Sequence, residues 1–185
     1  IQGFFDGPVD HMHALGQLAG YVREHYGTDN ICVVSPDAGR VKVGEKWADA
    51  LNGAPMAFVH KTRDPDVPNQ IKANRVVGDV SGKTCVLIDD MIDTGGTIAG
   101  AVRVLKEAGA GDVIIATTHG VFSHPAAERL ATCGAKEVIA TDTLPIPEDK
   151  RFENLTVLSI APLLAQTIQE VFENGSVTSL FNGSA

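Results

Sequence analysis

The chain has 185 residues, 44% hydrophobic and 21% charged, which suits one α/β domain with a real core. Fifteen Lys and Arg against twenty-three Asp and Glu leave a net charge of −8; this argues against a nucleic-acid surface but not against a few local donors for small phosphates. The longest apolar stretches are strand-length, so no membrane span is predicted, and no cleavable signal peptide is visible.

Ile1-Gln2-Gly3-Phe4-Phe5 has no initiating Met and no charged start, and it reads as the middle of something larger. Asp6-Gly7-Pro8 is turn material. Val9, Met12, Leu15, Leu18, Ala19 and Val22 recur near helical spacing and predict a helix from Val9 to Tyr26, stopped by Gly27. His11 and His13 fall on different sides of such a helix, which disfavours metal binding by the pair. Ile31 to Ser35 is a buried strand, Pro36 to Arg40 a loop, and Val43 to Leu51 the crossover helix. This is the grammar of a parallel sheet, whose ligands sit at the carboxyl ends of its strands. Asp37 then stands on the ligand rim, either as a magnesium carboxylate or as a simple turn aspartate.

Ala57 to Lys61 and Arg75 to Val80 are strand candidates joined by a polar, proline-bearing loop from Thr62 to Asn74, the pattern of a hairpin arm with a mobile tip. Lys61 and Arg63 at its base share a face if extended. Two readings stay open for them: cations for a phosphoryl chain under attack, or charges guarding a solvated strand edge. Further along, Val113 to Thr118, Glu137 to Thr141 and Leu155 to Ser159 read as strands. Pro125 to Leu130 and Ala161 to Phe172 read as helices. His119 reads as a structural donor, and the tail from Ser176 alternates weakly before ending in a stretch expected to fray. Cys32, Cys85 and Cys133 lack metal-ligand spacing and are predicted to be buried, reduced thiols of a cytosolic protein.

The chain is organised around Val86-Leu87-Ile88-Asp89-Asp90-Met91-Ile92-Asp93-Thr94-Gly95-Gly96-Thr97. Val86 to Ile88 is a strand buried on both faces, followed by two carboxylates, a glycine-bearing loop and a helix from Ile98 to Ala108. Glycines let successive N–H groups point inward, and such a nest at a helix N-terminus attracts a phosphate. Asp89 and Asp90 are suited to accept hydrogen bonds from vicinal hydroxyls. Together they suit a ribose 5-phosphate.

This string resembles the phosphoribosyl pyrophosphate signature shared by type I phosphoribosyltransferases and ribose-phosphate pyrophosphokinases. Ile1 to Asp10, Ser35 to Gly39, His60 to Arg63, Gly78 to Val80, Thr118 to Ser123 and Asn174 to Val177 extend the resemblance, specifically to bacterial class I ribose-phosphate pyrophosphokinases. The resemblance implies a mostly parallel twisted α/β sheet flanked by helices, type I phosphoribosyltransferase-like, with the hairpin arm carrying a flexible loop. It implies transfer of a diphosphoryl group from Mg-ATP to the 1-hydroxyl of ribose 5-phosphate, giving phosphoribosyl pyrophosphate and AMP for nucleotide biosynthesis. Asp93, Thr94, Gly95, Gly96 and Thr97 would hold the 5-phosphate, with Asp89 and Asp90 on the ribose. Lys61 and Arg63 would be catalytic, and Asp37 would hold Mg2+. Gln2, Ser176 and Val177 would contribute to a regulatory phosphate or ADP site.

The family is also expected to be cytoplasmic and homo-oligomeric, as dimers within a hexamer. Its members carry an N-terminal domain that this sequence does not show. Residues 1–185 thus correspond to the C-terminal domain, with 1–27 packing as a bridging segment. Two other readings are a non-catalytic regulatory homologue or binding module, and a type I phosphoribosyltransferase.

Overall fold

The structure is a computed structural model that describes residues 3–63 and 71–181; the side chains of 61–63, 71–74 and 181 are outside the description. Strands β1 (Ile31–Ser35), β2 (Met56–Arg63), β3 (Ile71–Val77), β4 (Thr84–Ile92), β5 (Val113–Gly120), β6 (Glu137–Thr141) and β7 (Leu155–Leu158) form one sheet in the order β3-β2-β1-β4-β5-β6-β7. Every pairing is parallel except β2 with β3. The α/β class and the hairpin arm expected from the sequence are therefore observed.

The central strands are buried on both faces, and their alternation feeds two cores. Cys85 and Leu87 of β4 join Ile98, Ala101, Val102 and Leu105 of α3 (Gly96–Glu107) and Leu130 of α4 (Ala126–Thr132). Val86 and Ile88 join Leu18, Ala19 and Val22 of α1 (Leu15–Tyr26) and Trp47 and Ala48 of α2 (Val41–Ala50). Glu137 accepts hydrogen bonds from Tyr21, Tyr26 and Thr156 and so ties α1 to the sheet. Helix α5 (Ala161–Phe172) ends the sequence of helices where expected, and none of its residues is buried. Cys32 and Cys85 are buried register partners on β1 and β4, and all three cysteines are free.

Several boundaries differ from the sequence reading. Helix α1 starts at Leu15, not Val9, because Val9 and Met12 are only partly covered and no described residue before Ala14 is buried. His11 and His13 thus precede the helix. Strand β4 does not stop at Ile88: it runs to Ile92, because β5 continues beside it and pairs Asp89 with Thr117 and Met91 with His119. The two carboxylates are therefore strand residues. Helix α3 begins two residues before Ile98, at Gly96. The hairpin strands reach to Arg63 and from Ile71, so residues 62, 63 and 71–74 of the expected loop are strand, while 64–70 lie outside the described residues. The tail forms a short 3-10 turn over Val177–Phe181, with Val177 buried.

Strand order reverses direction between β1 and β4: the chain winds from β1 to β2 on one side and from β4 to β5 on the other. Such a switch point opens a crevice at the carboxyl ends of the two strands. Asp37 follows β1, and Asp89 to Thr97 end β4, so both expected groups reach that crevice. Among the described residues, no helix is long and apolar enough to cross a membrane.

Candidate functional site

The site begins where β1 stops. β1 pairs with β4 only as far as Val34 with Leu87, so β4 runs on to Asp89 and Asp90 with no β1 neighbour on that edge. Pro36 turns the chain away, and Asp37 caps the 3-10 turn Ala38–Arg40 by accepting from the Gly39 N–H at 2.9 Å. That turn delivers Arg40 to the bare edge. Its Nε lies 3.1 Å from Asp89 Oδ1, and its Nη2 lies 2.7 Å from Asp90 Oδ1. Asp89 Oδ1 also accepts from the Asp90 N–H at 2.9 Å.

The environments of the two carboxylates push them apart. Burial raises the Asp89 carboxyl to about 6, against the pull of Arg40 and helped by the adjoining Asp90. For Asp90 burial also acts upward, but the hydrogen bond from Arg40, and one from the Asp89 carboxyl when that group is protonated, outweigh it and hold Asp90 below the usual carboxylate range. Arg40 is raised in turn by its hydrogen bond to Asp90. Thr117, register partner of Asp89 on β5, is fully buried, and its hydroxyl has no partner among the described residues.

The glycine-bearing loop follows directly. Ile92 is buried at the end of β4, and Asp93 and Thr94 are exposed. Gly95 takes φ 72°, in the left-handed region, and ends the loop as the residue before α3. It is buried against α4, where an added Cβ would lie 3.4 Å from Leu130 Cγ. The first turn of α3 has no side-chain cap and no acidic residue. The N–H groups of Gly96, Thr97 and Ile98 therefore keep their uncapped partial positive charge, as suits an anion. Arg129 of α4 donates from Nη1 to the Thr94 carbonyl at 3.1 Å and adds a full positive charge beside the loop.

Of the residues singled out in the sequence, Asp37, Asp89, Asp90 and Asp93 to Thr97 converge on this crevice. Lys61 and Arg63 are placed by their backbone alone. β1 ends opposite β2 with Ser35 beside Phe58, so positions 61 and 63 run past the carboxyl rim on the Asp37 side. The ladder with β3 shifts register between Thr62 and Arg63. Gln2 lies outside the described residues. Ser176 and Val177 follow α5, and their turn carries Leu180 to a separate cavity of about 650 Å³ lined also by Leu15, Gln17, Ala50 and Leu163. His119 shares a hydrogen bond with Thr143 Oγ1 at 2.8 Å, in keeping with a structural role.

Two residues that now stand at the site were not singled out: Arg40 and Arg129. Arg40 was legible only as part of a loop, and its target lies about fifty residues further along a parallel sheet whose order local pattern does not give. Arg129 sits in an ordinary helical stretch 35 positions from Thr94.

A magnesium ion is implied by the resemblance, and the donors present fit one in a limited way. Among the described residues, no group of three or more His, Cys, Asp or Glu could hold a metal. Asp37 offers one carboxylate with one oxygen tied to Gly39. That suits a hydrated Mg2+ that takes one or two carboxylates and fills its shell from water and substrate phosphates.

The family model of the phosphoribosyl synthetase-associated domain matches residues 30–182. Over all 185 residues the chain is 73% identical to the ribose-phosphate pyrophosphokinase of Mycobacterium tuberculosis and covers 57% of it. The corresponding protein of Corynebacterium glutamicum is 72% identical, again with 57% covered. The chain thus spans about half the length of the curated relatives it matches. The crystal structure of phosphoribosylpyrophosphate synthetase from Mycobacterium smegmatis superposes with a TM-score of 0.85 at 68% identity, covering 94% of this chain and 55% of that one. An adenine phosphoribosyltransferase from Giardia lamblia, complexed with 9-deazaadenine, superposes at 0.53 with 20% identity, covering 69% of this chain and 77% of that one, which shows a shared fold alone.

Proposed function

This chain belongs to the phosphoribosyl synthetase family, and from that premise we propose that it is the ribose 5-phosphate-binding part of a ribose-phosphate pyrophosphokinase. The observation that carries the reading is one crevice holding an uncapped helix start, Gly96 to Ile98, beside the Asp89–Asp90 pair. The 5-phosphate would sit on the loop Asp93–Thr97, and the ribose hydroxyls on the carboxylates. In the reaction the 1-hydroxyl oxygen bonds to the β-phosphorus of ATP and gives up its proton to solvent, the bond from that phosphorus to the α–β bridging oxygen breaks, and AMP leaves with that oxygen. Phosphoryl transfer asks for in-line positioning and charge neutralisation more than for covalent chemistry. Positions 61 and 63 run out past the rim next to Asp37, which supports Lys61 and Arg63 as the cations on the transferring phosphates. Mg2+, when bound through Asp37, would supply further neutralisation of the triphosphate.

The whole protein's setting follows the same reading. Leu164, Ile168, Val171 and Phe172 leave an apolar face exposed on α5, which supports contact with a further protein surface; dimers within a hexamer are proposed from the family resemblance. Three free, largely buried thiols suit the reducing cytoplasm. Gln2, Ser176 and Val177 are proposed for a regulatory phosphate or ADP site. Residues 1–185 would be the C-terminal domain of such a protein, with 1–27 as the bridging segment.

The test is AMP release on mixing the protein with Mg-ATP and ribose 5-phosphate, alongside calorimetric titration of ribose 5-phosphate alone. Lys61→Ala is expected to lower turnover about a hundredfold or more while leaving ribose 5-phosphate affinity nearly unchanged. A large loss of affinity with unchanged turnover would contradict the role. Release of pyrophosphate with a free base and no AMP would point to a phosphoribosyltransferase instead. Loss of both binding and AMP formation in the unaltered protein would remove the site assignment.

The raised Asp89 carboxyl adds a pH signature. The ionised form accepts sugar hydroxyls, so affinity is full only well above pH 6. It falls as pH drops through the value of about 6 to which burial pushes the group. The slope approaches about tenfold per pH unit. Methyl phosphate, which lacks the hydroxyls, supplies the correction for the ligand's own phosphate titration. Corrected affinity that stays flat from pH 7 to pH 5 would contradict the assignment.

A further inference from the structure

Asp89 and Asp90 are engaged by a cation that their own motif does not contain. We propose that Arg40 is a positioning residue of the sugar site: its guanidinium spans both carboxylates, fixes one oxygen of each, and presents the other two oxygens as a ready pair of acceptors for a vicinal diol. The inference rests on the ribose 5-phosphate reading above and adds to it the device that sets the carboxylates.

The geometry is specific to a forked cation. Nε meets Asp89 Oδ1 at 3.1 Å while Nη2 meets Asp90 Oδ1 at 2.7 Å, two N–H directions of one plane used on two side chains. With Oδ1 engaged on each, Oδ2 is the oxygen assigned to the ligand. Arg40 is itself anchored from behind. Its carbonyl accepts from the hydroxyl of Ser35, which is fully buried, at 3.3 Å, and the turn before it is capped by Asp37. The Arg40 side chain is 32% exposed and that of Asp89 only 11%, so the contact is sheltered at the end that matters. Without Arg40, two adjacent carboxylates would repel each other and an arriving phosphate alike. Arg40 offsets one of those charges, as Arg129 supplies a positive charge at the phosphate end. A lysine ammonium reaches one carboxylate well but cannot span the pair as a planar fork does.

The experiment compares the unaltered chain with Arg40→Gln and Arg40→Lys by calorimetric titration of ribose 5-phosphate, and by chemical-shift titration of methyl phosphate. Thermal unfolding of each variant serves as the folding control. Arg40→Gln is expected to raise the ribose 5-phosphate Kd about tenfold or more, because displaced acceptors lose much of their value. Arg40→Lys, which keeps the charge and the fold without the fork, is expected to recover only part of that loss. Binding of methyl phosphate is expected to weaken by no more than about twofold to threefold in Arg40→Gln, from the lost charge alone, and to stay as in the unaltered chain in Arg40→Lys. Equal ribose 5-phosphate affinity in all three proteins would overturn the inference and leave the site assignment standing. Full recovery by Arg40→Lys would also overturn it, since charge alone would then suffice. Parallel loss for both ligands in a folded variant would overturn it as well, by showing a general role in the loop. An unaltered chain that fails to bind ribose 5-phosphate would remove the parent reading and this inference together.

Discussion

Replacing Asp89 with Asn is expected to weaken ribose 5-phosphate binding about a hundredfold, a loss of about 3 kcal/mol. The carboxylate is acceptor-only, and its Oδ1 already receives two donors, the Asp90 N–H and Arg40 Nε. An amide has one oxygen and one NH2. If the oxygen keeps those two donors, the NH2 faces the sugar hydroxyl that needs an acceptor. If the amide turns over, the NH2 faces Arg40 and the Asp90 N–H, donor against donors. Either arrangement leaves a polar group unpaired in a half-buried place, and that unpaired group is the larger part of the cost. Stability should change little by comparison, because burial already disfavours the charge that the substitution removes. Calorimetric titration beside a thermal melt separates the two effects. Binding retained within a few-fold in a folded variant would contradict the assignment of Asp89.

Gly78→Ala is expected to cost about 3 kcal/mol or more of folding stability, lowering the melting temperature by about 10 °C in a chain of this size. Gly78 follows β3 and takes φ 111°, beyond the small left-handed helical region and open essentially to glycine. A Cβ there would lie 2.8 Å from the Met56 carbonyl oxygen and 2.9 Å from Ala57 Cα, both of them backbone atoms. They cannot retreat, because Met56 and Ala57 are held in register with Val33 and Val34 of β1, and Ala57 is buried. The strain must then open either the β1–β2 ladder or the base of the hairpin arm that carries Lys61 and Arg63. Gly82→Ala is the control: φ is 67°, and nothing lies within 4 Å of its Cβ, so only the backbone penalty of about 1 kcal/mol is due. A denaturation series in which the two variants lose equal stability would contradict the steric account.

Much of this was legible in the sequence because much of it is local. β1 and β6 were read with their observed ends, and α5 likewise, since continuous apolar runs and helical spacing are properties of neighbouring residues. The loop from Asp89 to Thr97 was legible for the same reason: a buried strand, two acids, glycines and a helix start stand in one stretch. Boundaries were missed where a neighbour decides them. Strand β4 is longer than its apolar run because β5 supplies hydrogen-bond partners for Asp89 through Ile92. Helix α1 is shorter than its periodicity because no part of the sheet covers the turn before Ala14.

By itself, then, the sequence determined the α/β class, the hairpin arm, the glycine-bearing loop and the carboxylate pair, all carried by short-range pattern. Only the tertiary structure decided what stands around them. The strand order sets β1 beside β4, the early end of β1 bares the edge of Asp89 and Asp90, and Arg40 comes across that edge to take both. In the same way α4 brings Arg129 to the Thr94 carbonyl, and the return of β3 onto β2 forces Gly78 into a conformation that no spacing announces. A long cationic side chain meets its partner where the sheet order places it, and sheet order is a property of the whole packed chain.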